Sequence, residues 1–295
     1  MTGLVVFALC TGCAGGPGVA GSGGTDSPGG SATGSSDTGS PGTDSPDTDS
    51  PDTGSSGPAA PSDRLAGTED GPIEIVVYAA ASLTDAFGTI ADLFEQQHPG
   101  ATVTLSLGGS SSLAAGIVAG APADVFASAS AETMRTVVDA GLAASGPVVF
   151  ATNSLEIAVP VGNPGSITGL PDFADEAKTI ALCAPEVPCG AASDRLLQAA
   201  GVTPKPDTLE QDVRGALIRV ELGEVDAALV YRTDVAAAGE RVEGIQVPGA
   251  DDVTTDYLIG AVSDAPQPEG AAAFVDFVQS EAARDVLEEA GFGAP

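Results

Sequence analysis

The sequence predicts an α/β fold that begins at Ile73 and continues to the end of the 295-residue chain. Two observations support this prediction. Segments with the period of a strand alternate with segments with the period of a helix, as expected for βαβ units around a parallel sheet. In addition, β-rich runs at residues 148–161 and a turn-rich stretch at 248–254 indicate that the chain crosses twice between two lobes.

The first predicted unit is a strand that leads into a helix. Residues 73–77 form a β-branched run, and apolar residues between 83 and 94 recur at three- and four-residue spacing. Ser82 lies between them as a preferred N-cap, and Asp85 resembles the second residue of a capping box. The first N–H groups of a helix lack partners and form the positive end of its dipole. The junction therefore predicts either an ordinary cap or an anion site.

The later elements follow in the same alternation. Strands are predicted at residues 102–107, 124–128, 179–182, 226–230 and 257–262, and helices at 113–119, 131–140, 190–200, 212–222 and 270–290. The stretch Gly108-Gly109-Ser110-Ser111-Ser112 repeats the first junction, because a strand ends in small residues and a serine-rich helix start follows. Glycine permits close approach of the backbone and serine hydroxyls donate. We expect the two loops to converge on one anion.

The charge of the chain excludes several classes of function. The formal charge is −31; residues 1–72 hold nine acidic residues and one arginine, which leaves 32 acidic against nine basic residues, or −23, in the remainder. Nucleic-acid binding requires clustered Lys and Arg, so no nucleic-acid partner is expected. An anion bound here must be held by neutral dipoles. The single histidine, His98, lies in a turn, and no Gly-x-Ser-x-Gly motif is present, so no enzyme is predicted.

The four cysteines fall into two pairs. Cys183 and Cys189 are predicted to form a disulfide that closes a small loop, with a free buried pair as the alternative. A zinc site would need about four ligands. Cys10 and Cys13 follow a short apolar run that resembles a bacterial lipoprotein signal, although no Lys or Arg precedes it. Residues 1–13 are therefore interpreted as a signal segment, with Cys13 as the lipidated residue.

Residues 14–72 are rich in Gly, Ser, Thr, Pro and Asp. Such a composition buries too little apolar surface to offset the entropy of ordering, so a disordered linker is expected. Its length suits a tether between a lipid anchor and a folded domain, with a generic solubilising tail as the alternative.

Several segments resemble the molybdate-binding protein of bacterial ABC importers. The resemblance is carried by residues 79–86 (AAASLTDA), 109–113 (GSSSL), 120–129 (GAPADVFASA), 185–190 (PEVPCG), 212–217 (DVRGAL) and 230–231 (VY). These segments occur in the family's order, and the resemblance covers nearly all of residues 73–295. It implies a type II periplasmic-binding-protein-like fold with mixed sheets flanked by helices and a ligand cleft between two lobes. Lobe 1 would comprise residues 73–152 with 253–295, and lobe 2 residues 153–252.

The same resemblance implies the binding site. Hydroxyl donors would come from Ser82, Ser110 and Tyr231, and backbone donors from Ser82, Ser110, Cys189 and Val213. The choice within the three serines at 110–112 stays open by one position. The implied function is capture of molybdate, and of tungstate, for the membrane permease of an ABC importer. No cofactor, a monomer, and attachment to the outer face of the membrane only through a lipid anchor are expected. The alternative is a binding protein for sulfate, thiosulfate or phosphate.

Overall fold

The computed structural model describes residues 73–295. The predicted signal segment, the lipidation at Cys13 and the linker lie outside the described residues. The strands are β1 (Ile73–Ala80), β2 (Ala101–Gly108), β3 (Val125–Ser128), β4 (Val148–Asn153), β5 (Leu155–Pro160), β6 (Ile180–Cys183), β7 (Thr208–Glu210), β8 (Ala227–Tyr231), β9 (Val242–Ile245) and β10 (Thr255–Ala261). The α-helices are α1 (Thr84–Gln97), α2 (Ser110–Val118), α3 (Ala131–Asp139), α4 (Pro188–Ala199), α5 (Val213–Glu221), α6 (Arg232–Ala238), α7 (Pro268–Val278) and α8 (Glu281–Glu289).

The strands form two five-stranded sheets, which we use to define two lobes. Lobe 1 contains the sheet β2-β1-β3-β10-β4, and lobe 2 contains the sheet β7-β6-β8-β5-β9. The chain passes from the first sheet to the second at Ser154 and returns between β9 and β10. The predicted α/β class and two-lobed fold are confirmed.

Both sheets are mixed, which corrects the parallel sheet expected from the alternation of elements alone. β1 pairs in parallel with β2 and β3, but β10 runs antiparallel to both β3 and β4. In lobe 2, β5 runs antiparallel to β8 and β9. The antiparallel strands are those next to the two crossings, because a chain that enters a sheet from the other lobe needs no helical crossover to pair.

Each lobe has its own hydrophobic core. In lobe 1, Phe94 packs edge-on against Phe274 and Phe277, with ring centroids 5.3 and 5.4 Å apart. The lobe 2 core is built mainly from aliphatic residues of β5, β6 and β8 together with Phe173. Because the two cores are separate, the surfaces where the lobes face each other are free to carry polar groups. No helix within residues 73–295 has both the length and the apolar character needed to cross a membrane.

The start of α1 differs from the prediction. Residues Ala81–Leu83 form a 3₁₀ turn, and α1 begins only at Thr84, with Leu83 at its N-cap position. The Ser82 side chain makes no capping bond and instead contacts the Tyr257 hydroxyl at 2.7 Å. The interpretation of Ser82 and Asp85 as a capping box is therefore wrong. Ser82 is left available for a role in the space between the lobes.

Candidate functional site

A small cavity of about 20 Å³ lies between the lobes, and all five residues predicted to bind an anion line it. They are Ser82 and Ser110 from lobe 1, and Cys189, Val213 and Tyr231 from lobe 2. Pockets for organic ligands usually have volumes of ~300–1,000 Å³. A cavity of this size is far too small for an organic ligand.

The cavity is surrounded by the ends of strands and the starts of helices. Ser110 is the first residue of α2 and Val213 the first residue of α5, while Cys189 is the second residue of α4. The N–H groups in the first turn of a helix have no intrahelical acceptor. Their dipoles add to that of the helix, so these backbone groups make the cavity favourable for an anion without a cationic side chain.

The three hydroxyls differ in the partners that they already have. Ser82, Ser110 and Tyr231 are 5%, 2% and 1% exposed. The Ser110 hydroxyl oxygen accepts the N–H of Ala129 at 3.1 Å, which leaves its own hydrogen free. The Tyr231 hydroxyl is buried without a hydrogen-bond partner in residues 73–295. Burial raises the pKa of Tyr231 well above its ordinary value, so the phenol stays protonated and can donate.

No lysine, arginine or histidine belongs to the part of the lining that the structure describes. The nearby cation Arg214, in the first turn of α5, forms an ion pair with Asp85 of lobe 1. Its Nε also lies 3.3 Å from Oδ1 of the buried Asp234, within ion-pair distance but without hydrogen-bond geometry. Burial raises the pKa of Asp234 to about 7, against the opposing effect of Arg214. The positive charge of Arg214 is thus shared by two carboxyl groups.

The two lobes touch directly beside the cavity. Ser111 donates its hydroxyl hydrogen to the carbonyl oxygen of Glu186 across the cleft at 3.0 Å. A Cβ atom added to Gly109 would lie only 2.6 Å from the carbonyl oxygen of Gln211. Glycine at 109 is therefore needed for the backbones of the two lobes to approach this closely. Among the three consecutive serines, Ser110 lines the small cavity, whereas Ser111 bridges the lobes.

The structure contains a disulfide between Cys183 and Cys189. It joins the last residue of β6 to the first turn of α4, and both cysteines are buried. The Cys189 carbonyl oxygen also accepts the Ser193 hydroxyl at 2.8 Å. These contacts brace the loop that places Cys189 at the cavity.

A second, larger cavity of about 400 Å³ adjoins the first and shares Val187 and Pro188 with it. Its lining includes three acidic residues (Glu132, Glu186 and Asp256) and one cation, Arg195. None of the five predicted donors lines it. Because the predicted donors gather at the smaller cavity, it is the better site for an anion, although it too is lined by one carboxylate, that of Asp212.

Comparison with known proteins shows the family to which this chain belongs. Residues 75–293 match the family of bacterial extracellular solute-binding proteins. The chain belongs to this family. The molybdate-binding protein ModA of Mycobacterium tuberculosis is 38% identical over 239 residues, which cover 81% of this chain and 92% of ModA. The putative ABC transporter substrate-binding lipoprotein YvgL of Bacillus subtilis is 32% identical over 228 residues, or 75% of this chain and 87% of YvgL.

A solved structure of another solute-binding protein has the same fold. The periplasmic molybdate-binding protein of Azotobacter vinelandii superposes with a TM-score of 0.63 at 21% identity, covering 75% of this chain and 99% of that protein. This solute-binding protein therefore acts outside the cytoplasm, and it is a binding protein rather than an enzyme.

His98 packs on Phe94, with ring centroids 4.3 Å apart, and does not line the cavity.

Sequence reasoning missed the residues behind the cavity. Tyr257 contacts Ser82, and Asn153 lies at the crossing between β4 and β5. Both side chains are fully buried. An asparagine inside the β-rich stretch at 148–161 is the sequence signal that points to Asn153. Nothing in the local sequence could link Tyr257 to a serine 175 positions earlier.

Proposed function

We propose that this protein captures molybdate, and tungstate as well, outside the cytoplasm and delivers the anion to the membrane permease of an ABC importer. The observation that carries the proposal is the single small cavity that brings together Ser82, Ser110, Cys189, Val213 and Tyr231, with donors and no cation among its lining residues within 73–295. The 38% identity to ModA, a molybdate-binding protein, supports molybdate as the ligand.

The chemistry of the donors favours a fully deprotonated dianion. The proposed donors are the hydroxyls of Ser82, Ser110 and Tyr231 and the N–H groups of Ser82, Ser110, Cys189 and Val213. Every oxygen of a tetrahedral dianion is an acceptor, so each can be matched by a donor. A hydrogen bond to a charged group contributes roughly 1.5–3 kcal/mol. A protonated oxygen would instead place its hydrogen against another donor, and monohydrogen phosphate should therefore bind poorly.

Thermal unfolding with a panel of anions tests this proposal. Molybdate and tungstate should raise the Tm of the purified protein, while phosphate at equal concentration should have little effect; sulfate and thiosulfate, which are also unprotonated dianions, should raise it less than molybdate. At a ligand concentration of about 100 Kd, the expected gain in the free energy of unfolding is ~2.7 kcal/mol. A larger shift with sulfate, thiosulfate or phosphate than with molybdate would assign the protein to another oxyanion.

We also propose that Cys13 carries a lipid, that residues 14–72 tether the binding domain to the outer face of the membrane, and that the protein is a monomer. The support is the lipoprotein-like segment before Cys13 and the description of the relative YvgL as a lipoprotein. Partition of the expressed protein into a detergent phase tests the anchor. Cys13→Ala should move the protein to the aqueous phase, and unchanged partition would contradict lipidation at this residue.

A further inference from the structure

Behind the anion cavity, three buried side chains form a chain of hydrogen bonds that ends at Ser82. Tyr257 of β10 is fully buried, and its hydroxyl lies 2.7 Å from Ser82 Oγ. Asn153, the last residue of β4, places its Nδ2 3.5 Å from the Tyr257 hydroxyl and 2.9 Å from Thr233 Oγ1. Tyr257 and Asn153 do not line the cavity. The Tyr257 ring also packs edge-on against Tyr231, a contact that phenylalanine would keep, so the hydrogen bond to Ser82 is the link to a ligand that loss of the Tyr257 hydroxyl removes.

The orientation of the Asn153 amide follows from its backbone neighbour. Asn153 Oδ1 lies 3.0 Å from the backbone nitrogen of Ser154. A backbone N–H can only donate, so the atom facing it must be the amide oxygen. The amide nitrogen therefore faces Thr233 and Tyr257, and its two hydrogens are directed at those two hydroxyl oxygens.

Either hydroxyl of the Tyr257–Ser82 pair is able to donate, and the orientation of Asn153 favours Tyr257 as the donor. The Tyr257 oxygen receives a hydrogen from Asn153, so its own hydrogen is available for Ser82 Oγ. The relative acidity of the two groups favours the same direction, since a phenol, with an ordinary pKa near ~10, is a stronger acid than an aliphatic hydroxyl. Ser82 then accepts from Tyr257, and its hydrogen is left to point into the cavity.

We propose that Tyr257 is a positioning residue that fixes the Ser82 hydroxyl as a hydrogen-bond donor to the bound anion; the inference rests on the proposed function of the cavity. The Ser110 hydroxyl is also fixed as a donor, but by a backbone group, because its oxygen accepts the N–H of Ala129 at 3.1 Å. Both serine hydroxyls are thus committed as donors before the anion arrives. A protonated oxygen would meet serine hydrogens that already point toward it, which strengthens the preference for a fully deprotonated oxyanion.

A double-mutant cycle with molybdate as the probe tests this role. Calorimetric titration of the wild type, Tyr257→Phe, Ser82→Ala and the double variant gives four values of Kd. Tyr257→Phe keeps the ring and should weaken binding about three- to tenfold, while Ser82→Ala should weaken it about ten- to a hundredfold. In the Ser82→Ala background, Tyr257→Phe should cause no further loss, because the group through which it acts is gone.

A purely structural role for Tyr257 gives a different result. Loss of packing would lower the affinity by the same factor whether residue 82 is serine or alanine, so additive losses would overturn the inference. Unchanged affinity in Tyr257→Phe would overturn it as well. Tyr78→Phe is the matched control, since Tyr78 lies on β1 but does not line the cavity, and its affinity should equal that of the wild type. If the wild type bound no molybdate, the proposed function would fail first and the inference with it.

Discussion

Replacing Tyr231 by phenylalanine is the most direct test of the anion site. The Tyr231 hydroxyl belongs to a residue lining the cavity, it is buried, and it has no partner among the described residues. Its ring packs edge-on against Tyr257, with centroids 5.9 Å apart, and phenylalanine preserves this contact. The substitution therefore removes one donor and little else.

The two states of the protein should respond to Tyr231→Phe in opposite directions. A bound dianion loses one charge-assisted bond, roughly 1.5–3 kcal/mol, or about ten- to a hundredfold in Kd. In the ligand-free protein an unpaired buried hydroxyl costs about 1–3 kcal/mol, so its removal should leave the Tm unchanged or raise it. For a domain of this size, 1 kcal/mol corresponds to about 2–4 °C.

Calorimetric titration with molybdate and thermal unfolding without it measure the two effects. Val213→Ala is the matched contrast at the site, because it shortens a side chain and keeps the N–H that we assign as the donor; its Kd should change much less. An unchanged Kd in Tyr231→Phe would refute the assignment of the hydroxyl. A lowered affinity accompanied by a large fall in the ligand-free Tm would show that the substitution had disturbed packing instead.

Three further predictions concern the frame around the site. Gly109→Ala should weaken molybdate binding and also lower the ligand-free Tm, since its Cβ would lie 2.6 Å from the Gln211 carbonyl oxygen and force the two lobes apart; titration and thermal unfolding check this. Reduction of the Cys183–Cys189 disulfide should cost about 2 kcal/mol of unfolding free energy, measured with urea, and mass spectrometry without reductant should show the linked peptides. Asp234 has a pKa raised to about 7, so between about pH 4 and 7 the folded protein keeps a proton that the unfolded chain loses, and stability falls as pH rises. Urea titrations of Asp234→Asn should lack that component of the slope.

The sequence pattern predicted the long elements and the two serine-rich loops at the cavity for an identifiable reason, whereas Cys189, Val213 and Tyr231 were predicted only from the resemblance to the molybdate-binding family. The period of β1 and α1 is a local property, and so is the recurrence of serine and glycine where strands end. Short elements carry too little pattern, and the three-residue β7, the four-residue β9 and the seven-residue α6 were not predicted. The partners of each side chain are a long-range property. Ser82 fits the pattern of a helix cap, yet its hydroxyl bonds to Tyr257 from the other end of the chain.

The net negative charge of the domain is compatible with binding of an anion by uncharged donors. Most of the −23 formal charge of residues 73–295 lies on the surface, and at physiological ionic strength charges more than ~8 Å from the anion are largely screened. The field in the cavity is then set by the groups that touch it, which are helix N-termini, hydroxyls and Asp212, whose carboxylate accepts the N–H of Gly215 at 2.9 Å as the cap of α5. A lysine there would attract any anion, protonated or not, whereas fixed donors discriminate by geometry and by the protonation of each oxygen. Arg214, the cation at the start of α5, pairs with Asp85 and Asp234. It can therefore link the two lobes, while its charge is offset by these carboxyl groups and does not attract anions without selectivity.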